Sequence, residues 1–258
     1  MNNFEKGYKF TDVNNIQIHY ALEGNPKNPT LVLINMASHN LTSWEVVLED
    51  FLLDFQVLRF DGRGTGLSGH GEYETFNFSQ YADDLYELLN ELSITKAFVL
   101  GIAYGARTAA KFALKYPEKL TSLALCDVAL SLPVDQTEQA NLGNQAREML
   151  KESGETPVVY QKYWRFYKNK ESALKFHTAH IKQKDITKDM IKVSVPSLVT
   201  CGRQDMNLDE AKKISRYIPN STFEVMEMTG HASIFFRPKL FSQIVRNFYQ
   251  LNFGETHE

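Results

Sequence analysis

Apolar positions along the chain follow two alternating rhythms. Short β-like runs at 17–22, 31–35, 56–60, 97–101, 120–126, 197–201 and 223–228 are separated by longer stretches whose apolar residues return every three to four positions. Strands that alternate with helices predict a mostly parallel sheet covered on both faces. The start of the chain differs: residues 7–12, the turn-forming pair Asn14-Asn15 and the run 17–22 predict an antiparallel hairpin, so the sheet is mixed. Between Ser79 and Leu92, Tyr81, Leu85, Leu88, Leu89 and Leu92 recur at helical spacing, which predicts a helix lying on the sheet.

The strand signal stops between 131 and 192. Three helical patterns follow there, broken near Gly154-Glu155-Thr156-Pro157 and near Lys184. This segment is expected to be a helical cap inserted between two parts of one core, 1–130 and 193–258. It departs after the run ending at Cys126 and returns before Pro196, at the carboxyl end of the sheet where open α/β folds place ligands, which makes it a candidate lid. Residues 160–184 interleave Tyr160, Tyr163, Trp164, Phe166, Tyr167 and Phe176 with Lys162, Arg165, Lys168, Lys170, Lys175, Lys182 and Lys184. That pattern reads as a solvated basic face over an aromatic inner face, or as an entrance that attracts anions.

Composition narrows the partners. With 43% hydrophobic and 23% charged residues in 258, the chain can bury one large core. A formal charge of -3 and a pI near 6.2 leave no broad electropositive surface, so a small molecule is the expected partner and nucleic acid is not. No run approaches the roughly 20 apolar residues that cross a bilayer, and Met1 to Lys6 lack the basic start of a signal peptide. A cytoplasmic protein with no membrane partner is expected, and a homodimer is left open. Cys126 and Cys201 each lie at the end of an apolar run, as buried reduced thiols do.

The chemistry concentrates at three places. Residues 97–107 form an apolar strand that turns through Gly101 and Gly105 directly into a helix, the frame of a nucleophile elbow. The usual centre of that frame is serine, but here it is Ala103, which has no oxygen to attack with. Downstream, Asp205 follows the run 197–201, and His231 follows Thr229-Gly230 after the next run. The order elbow, acid, histidine predicts that Asp205 orients and charge-stabilises His231, with Asp127 as a rival acid. Third, the run 31–35 opens into Met36-Ala37-Ser38-His39-Asn40, a small-polar loop of the kind that donates a backbone N–H to an oxyanion hole; the expected donors are the amides of Met36 and Tyr104. The glycine-rich stretch 61–68 lacks the Gly-Lys-Ser/Thr ending of a phosphate loop and reads as a structural turn. His177 and His180 have no carboxylate or thiol set to complete a metal site, and no cofactor motif is present, so neither metal nor cofactor is expected.

These motifs resemble the α/β-hydrolase superfamily from Gly7 to Tyr249. Asn35-Met36, the stretch Val57-Leu58-Arg59-Phe60-Asp61-Gly62-Arg63-Gly64 and the stretch Leu123-Ala124-Leu125-Cys126-Asp127 look like its 3-oxoadipate enol-lactonase and carboxylesterase branch. The resemblance implies an eight-stranded core with a helical cap, and a triad at positions 103, 231 and 205 of which the last two carry their expected residues. Three readings of Ala103 follow. It stands in for a serine removed by design, so that the parent is an esterase or lactonase. Alternatively, it is native, and the Asp205–His231 pair works as a general base without a cofactor, as in lyases or oxygenases. Or the pocket only binds a small molecule.

Overall fold

A computed structural model describes residues 7–131, 136–176 and 178–254. The predicted N-terminal hairpin is formed by β1 (Tyr8–Val13) and β2 (Ile16–Glu23), joined through Asn14 and Asn15 at φ 46° and 63°. Asparagine tolerates this left-handed region, and two such residues make the hairpin turn whose twist matches its strands. The remaining strands are β3 (Thr30–Ile34), β4 (Gln56–Phe60), β5 (Ala97–Ile102), β6 (Leu120–Cys126), β7 (Ser197–Gln204) and β8 (Ser221–Gly230). They form one eight-stranded sheet in the order β1-β2-β4-β3-β5-β6-β7-β8. β2 pairs antiparallel with β1 and β4, and every later pairing is parallel.

All six residues of β5 are buried, because a central parallel strand has helices on both sides. Its side chains alternate. Val99 joins one core with Leu85, Leu88 and Leu89 of α2 (Phe78–Glu91), Ala106, Ala109 and Phe112 of α3 (Tyr104–Lys115), and Ile214 of α7 (Leu208–Tyr217). Phe98 and Leu100 join the other, with Phe51 of α1 (Glu45–Phe51) and Phe241, Val245 and Phe248 of α8 (Pro238–Phe253). The α2 helix begins one residue earlier than the pattern predicted, because Asn77 caps it by accepting from the Gln80 N–H at 2.9 Å.

Between β6 and β7 lie α4 (Gln136–Glu152), a 3₁₀ turn at Lys162–Arg165, α5 (Lys170–Phe176), α6 (Ala179–Lys182) and a second 3₁₀ turn at Thr187–Lys192. The chain leaves α4 through Gly154 at φ 83°, the break that the sequence marked. Ile186, Met190 and Val193 belong to the core cluster of α2, α3 and α7, so the last turn of the segment read as an insertion packs with the core. The aromatic face of 160–176 is only partly inward: Trp164 and Phe176 are buried, while Tyr160, Tyr163 and Phe166 are exposed. Cys126 and Cys201 are free and buried. No helix among the described residues is long and apolar enough to cross a membrane. The N-terminal residues 1–6, the tail 255–258 and His177 lie outside the described residues.

Candidate functional site

At the end of β5 the backbone turns at Ala103 with φ 53° and ψ -113° before α3 starts at Tyr104. A non-glycine residue there carries strain of order 1–3 kcal/mol and persists only where its surroundings enforce it. Two constraints enforce it here. The Ala103 N–H donates to the Cys126 carbonyl at 2.8 Å, tying the turn to β6. Side chains are also excluded at both flanking glycines: a Cβ on Gly105 would strike the carbonyl oxygens of Ile34 and Asn35, and one on Gly101 would strike the Gly105 carbonyl. The helix therefore starts in backbone contact with the ends of β3 and β5. The elbow geometry is complete, although its central residue carries only a methyl group.

His231 lies just past β8, and its Nδ1–H donates to Asp205 Oδ2 at 2.9 Å. Asp205, at the end of β7, is held in turn: its Oδ1 accepts from the Asn207 N–H at 2.9 Å and from the Gln139 side-chain amide of α4 at 3.1 Å. The imidazole is 32% exposed while the carboxylate behind it is fully covered. Burial works against the charged ring, but Asp205 and, behind it, Asp127 hold its pKa up at about 9. The remaining ring nitrogen, Nε2, is the one left for a ligand or water.

Asp127, the rival acid, is fully buried and serves a different partner: its Oδ2 accepts from the Ser233 N–H at 2.7 Å, ahead of the 3₁₀ turn Ser233–Phe235. Its Oδ1 has no hydrogen-bond partner among the described residues. Carboxylate oxygens of Asp127 and Asp205 and the Cys201 sulfur lie within 4.8 Å of one another. Burial and the Asp205 charge push the Asp127 pKa up to about 7, against the pull of His231 and Ser233. Desolvation likewise pushes the Cys126 and Cys201 thiols up, so neither is a nucleophile.

The loop after β3 is fastened on both sides. Asn35 donates to the Phe60 carbonyl at 2.9 Å and accepts from the Trp44 indole at 2.7 Å. Asn40 donates from its amide N–H to the Trp164 carbonyl at 2.9 Å and from its side chain to the Tyr163 carbonyl at 2.7 Å. His39 donates through Nδ1 to the Ala37 carbonyl and accepts from the Tyr160 hydroxyl at Nε2; burial lowers its pKa to about 4, so it is neutral. The 61–68 stretch is structural, as read: Asp61 accepts from the Leu41 and Leu67 N–H groups and from His19, and Arg63 grips Asp84 with two hydrogen bonds.

Met36, Ala103, Tyr104 and His231 line one pocket of about 540 Å³ between the sheet end and the segment connecting β6 to β7. Tyr104 packs against Phe78 and Phe176, and its hydroxyl donates to the Phe176 carbonyl, joining the elbow to α5. Sequence reading missed several residues of this wall, among them His39, Arg107, Gln139, Arg147 and Asn207. Arg107 was within reach, since it follows Ala103 by one helical turn and shares its face. Arg147 and Gln139 come from α4, whose approach to the sheet no local pattern encodes.

The doubly fastened loop, strained elbow and Asp–His pair lie at the carboxyl end of a mixed eight-stranded sheet, the arrangement of the α/β-hydrolase fold. Residues 29–151 match the family described as alpha/beta hydrolase fold. Among curated proteins, the chain is 23% identical over 252 residues to 3-oxoadipate enol-lactonase 2 of Acinetobacter baylyi, covering 89% of this chain and 92% of that one. Among solved structures, a hydrolase from Pseudomonas aeruginosa PA01 superposes with a TM-score of 0.79 at 24% identity, covering 95% of this chain and 98% of that one. The enol-lactonase from Burkholderia xenovorans LB400 superposes with a TM-score of 0.77 at 20% identity, covering 94% and 100%.

Proposed function

We propose that the protein is an enzyme acting on a small ester, lactone or related carbonyl compound, in which His231, oriented by Asp205, moves the proton. The backbone amides of Met36 and Tyr104 hold the oxygen on which negative charge develops. The observation that carries this reading is the convergence of the strained elbow centre and the His231–Asp205 pair on one pocket. The lactonase named among the relatives supports the substrate class. Ala103 offers no oxygen, so no acyl-enzyme forms in this chain. His231 takes a proton from water as the water oxygen bonds to the carbonyl carbon, then returns it to the leaving oxygen. This needs a neutral imidazole, and with the pKa at about 9 that form grows as pH rises toward 9.

The same raised pKa favours a second reading. An imidazolium beside two backbone amides stabilises an enolate, so proton transfer next to a carbonyl suits the site as well as hydrolysis does.

The test is paired kinetics on short-chain nitrophenyl esters and small lactones from pH 6 to 10, for the chain itself, His231→Ala, Ala103→Ser and the double variant. The expected result is slow turnover that rises with pH and disappears with His231. Serine is expected to raise it by at least about a hundredfold, with the gain lost again in the double variant. If serine adds nothing and His231→Ala changes nothing, the hydrolytic reading fails.

A further inference from the structure

The proposed site has an uneven charge. Its wall contains Arg107, Arg147, Arg165 and His231, and no acidic side chain among the described residues. None of the three arginines forms an ion pair with a described carboxylate. Of the six arginines elsewhere, five are paired, Arg59 with Glu23, Arg63 with Asp84, Arg203 with Glu227, Arg237 with Glu155 and Arg246 with Asp54, and Arg216 forms no ion pair among the described residues.

The three reach the pocket from different walls. Arg107 lies on α3, one turn past the elbow centre, and is only 6% exposed. Its guanidinium donates to the Ser131 carbonyl at 2.6 Å and to Gln183 at 3.5 Å, and lies over the Phe78 ring. Glu210 acts on Arg107 through its field, and its carboxylate is engaged by the Leu130 and Ser131 N–H groups. Arg147 stacks on Phe236 at 4.6 Å from α4. Arg165 stacks on Tyr160 at 5.5 Å, next to His39. A guanidinium over a ring keeps N–H groups for an oxyacid, although Arg147 also donates to the Gly143 carbonyl at 3.3 Å. Of the basic residues between 160 and 184 that the sequence raised as an entrance, only Arg165 lines the pocket among the described residues.

We propose that the substrate of this site is at least a dianion: a small compound with two oxyacid groups flanking the reacting carbonyl, one held by Arg107 and the other by Arg147 and Arg165. A buried guanidinium with no carboxylate costs several kcal/mol, and a ligand oxyacid offsets that cost on binding. A monoanion held by Arg107 relieves that cost and leaves Arg147 and Arg165, which are exposed, to water; the second oxyacid adds affinity through them. The proposal rests on the pocket being the substrate site, as proposed above, but not on which reaction occurs there.

The test reads binding, so it is independent of turnover. Titration calorimetry compares glutarate, its monomethyl ester and its dimethyl ester, with inorganic phosphate and glycerol 3-phosphate as a second arm. Affinity is expected to fall about tenfold with each carboxylate masked, the loss of a charge-assisted hydrogen bond. Arg107→Gln is expected to cost glutarate at least tenfold and the dimethyl ester little, while Arg107→Lys restores part of the loss. Because Arg147 and Arg165 are exposed, the variant carrying both as Gln keeps the fold and is expected to show a similar loss. If phosphate displaces glutarate, and glycerol 3-phosphate, which carries a single oxyacid group, binds tighter than glutarate, the site takes one oxyacid and the proposal is overturned. Equal binding of all three glutarate compounds, or tightest binding of the diester, overturns it. Selective dianion binding by a chain whose Ala103→Ser variant hydrolyses nothing would sink the hydrolytic reading alone.

Discussion

The molecule contains the same chemical pair twice. His19 and Asp61 meet at 2.8 Å under the N-terminal hairpin, and His231 and Asp205 meet at 2.9 Å at the carboxyl end of the sheet. Distance does not distinguish them, but surroundings do. His19 is 6% exposed and wedged between Tyr8 and Phe10, and Asp61 also accepts from two backbone N–H groups. That pair fastens the glycine-rich turn to the hairpin. His231 has the same kind of carboxylate behind it, but a third of its ring opens into the pocket. An Asp–His pair is therefore a structural staple or a proton-handling group according to whether its second nitrogen meets protein or a ligand.

The largest effect that tests the contrast is on catalysis. In an Ala103→Ser background, Asp205→Asn is expected to lower kcat for a nitrophenyl ester by about 10⁴-fold, because the amide favours the wrong tautomer of His231. Asp61→Asn should leave kcat/KM within a factor of two or so and appear only in stability. Next comes stability itself. His19→Ala is expected to cost about 3 kcal/mol in urea unfolding, since it leaves a buried carboxylate one partner short. Above pH 9, where the imidazole has lost its proton, His231→Gln, which still offers Asp205 a donor, should cost less than about 1 kcal/mol. Equal costs would erase the distinction between staple and site.

A smaller effect concerns pH. The folded pKa of His231, about 9, exceeds its ordinary 6.5, so the folded state holds a proton that the unfolded chain loses. The resulting stabilisation is complete below about pH 6.5 and disappears as pH rises through 9. Urea midpoints of the parent should fall across that window, and those of His231→Gln should fall less. Asp127 adds a decline at lower pH: with its pKa raised from 3.8 to about 7, its contribution is destabilising, growing from pH 4 to 7 and full above. Asp127→Asn should flatten that part of the curve. By removing a charge that supports the imidazolium, it should also move the His231 titration, followed by NMR of the ring, below 9. The smallest expected effect is Tyr160→Phe, which removes the hydroxyl on His39 Nε2 and should cost no more than about 1 kcal/mol.

Much of this arrangement could be read in the chain before folding is considered. The eight strands, the antiparallel start, the elbow frame at Gly101 and Gly105, and the order of Asp205 and His231 are local or serial features. Hydrophobic period, turn residues and backbone permissiveness encode such features within a few residues. The sequence also put Ala103 at the elbow centre, and with it the absence of an oxygen nucleophile. It could not choose between Asp127 and Asp205 by contact, because both end parallel strands and differ only in which loop returns to them. The structure gives His231 to Asp205 and the Ser233 amide to Asp127. Nor could it separate His19 from His231, since burial is a property of what packs around a ring. That Arg147 and Arg165 join Arg107 around Ala103 belongs wholly to the tertiary structure. These residues lie on three elements that meet only when the segment between β6 and β7 folds back over the sheet, and no local period records a contact made across 40 or more positions.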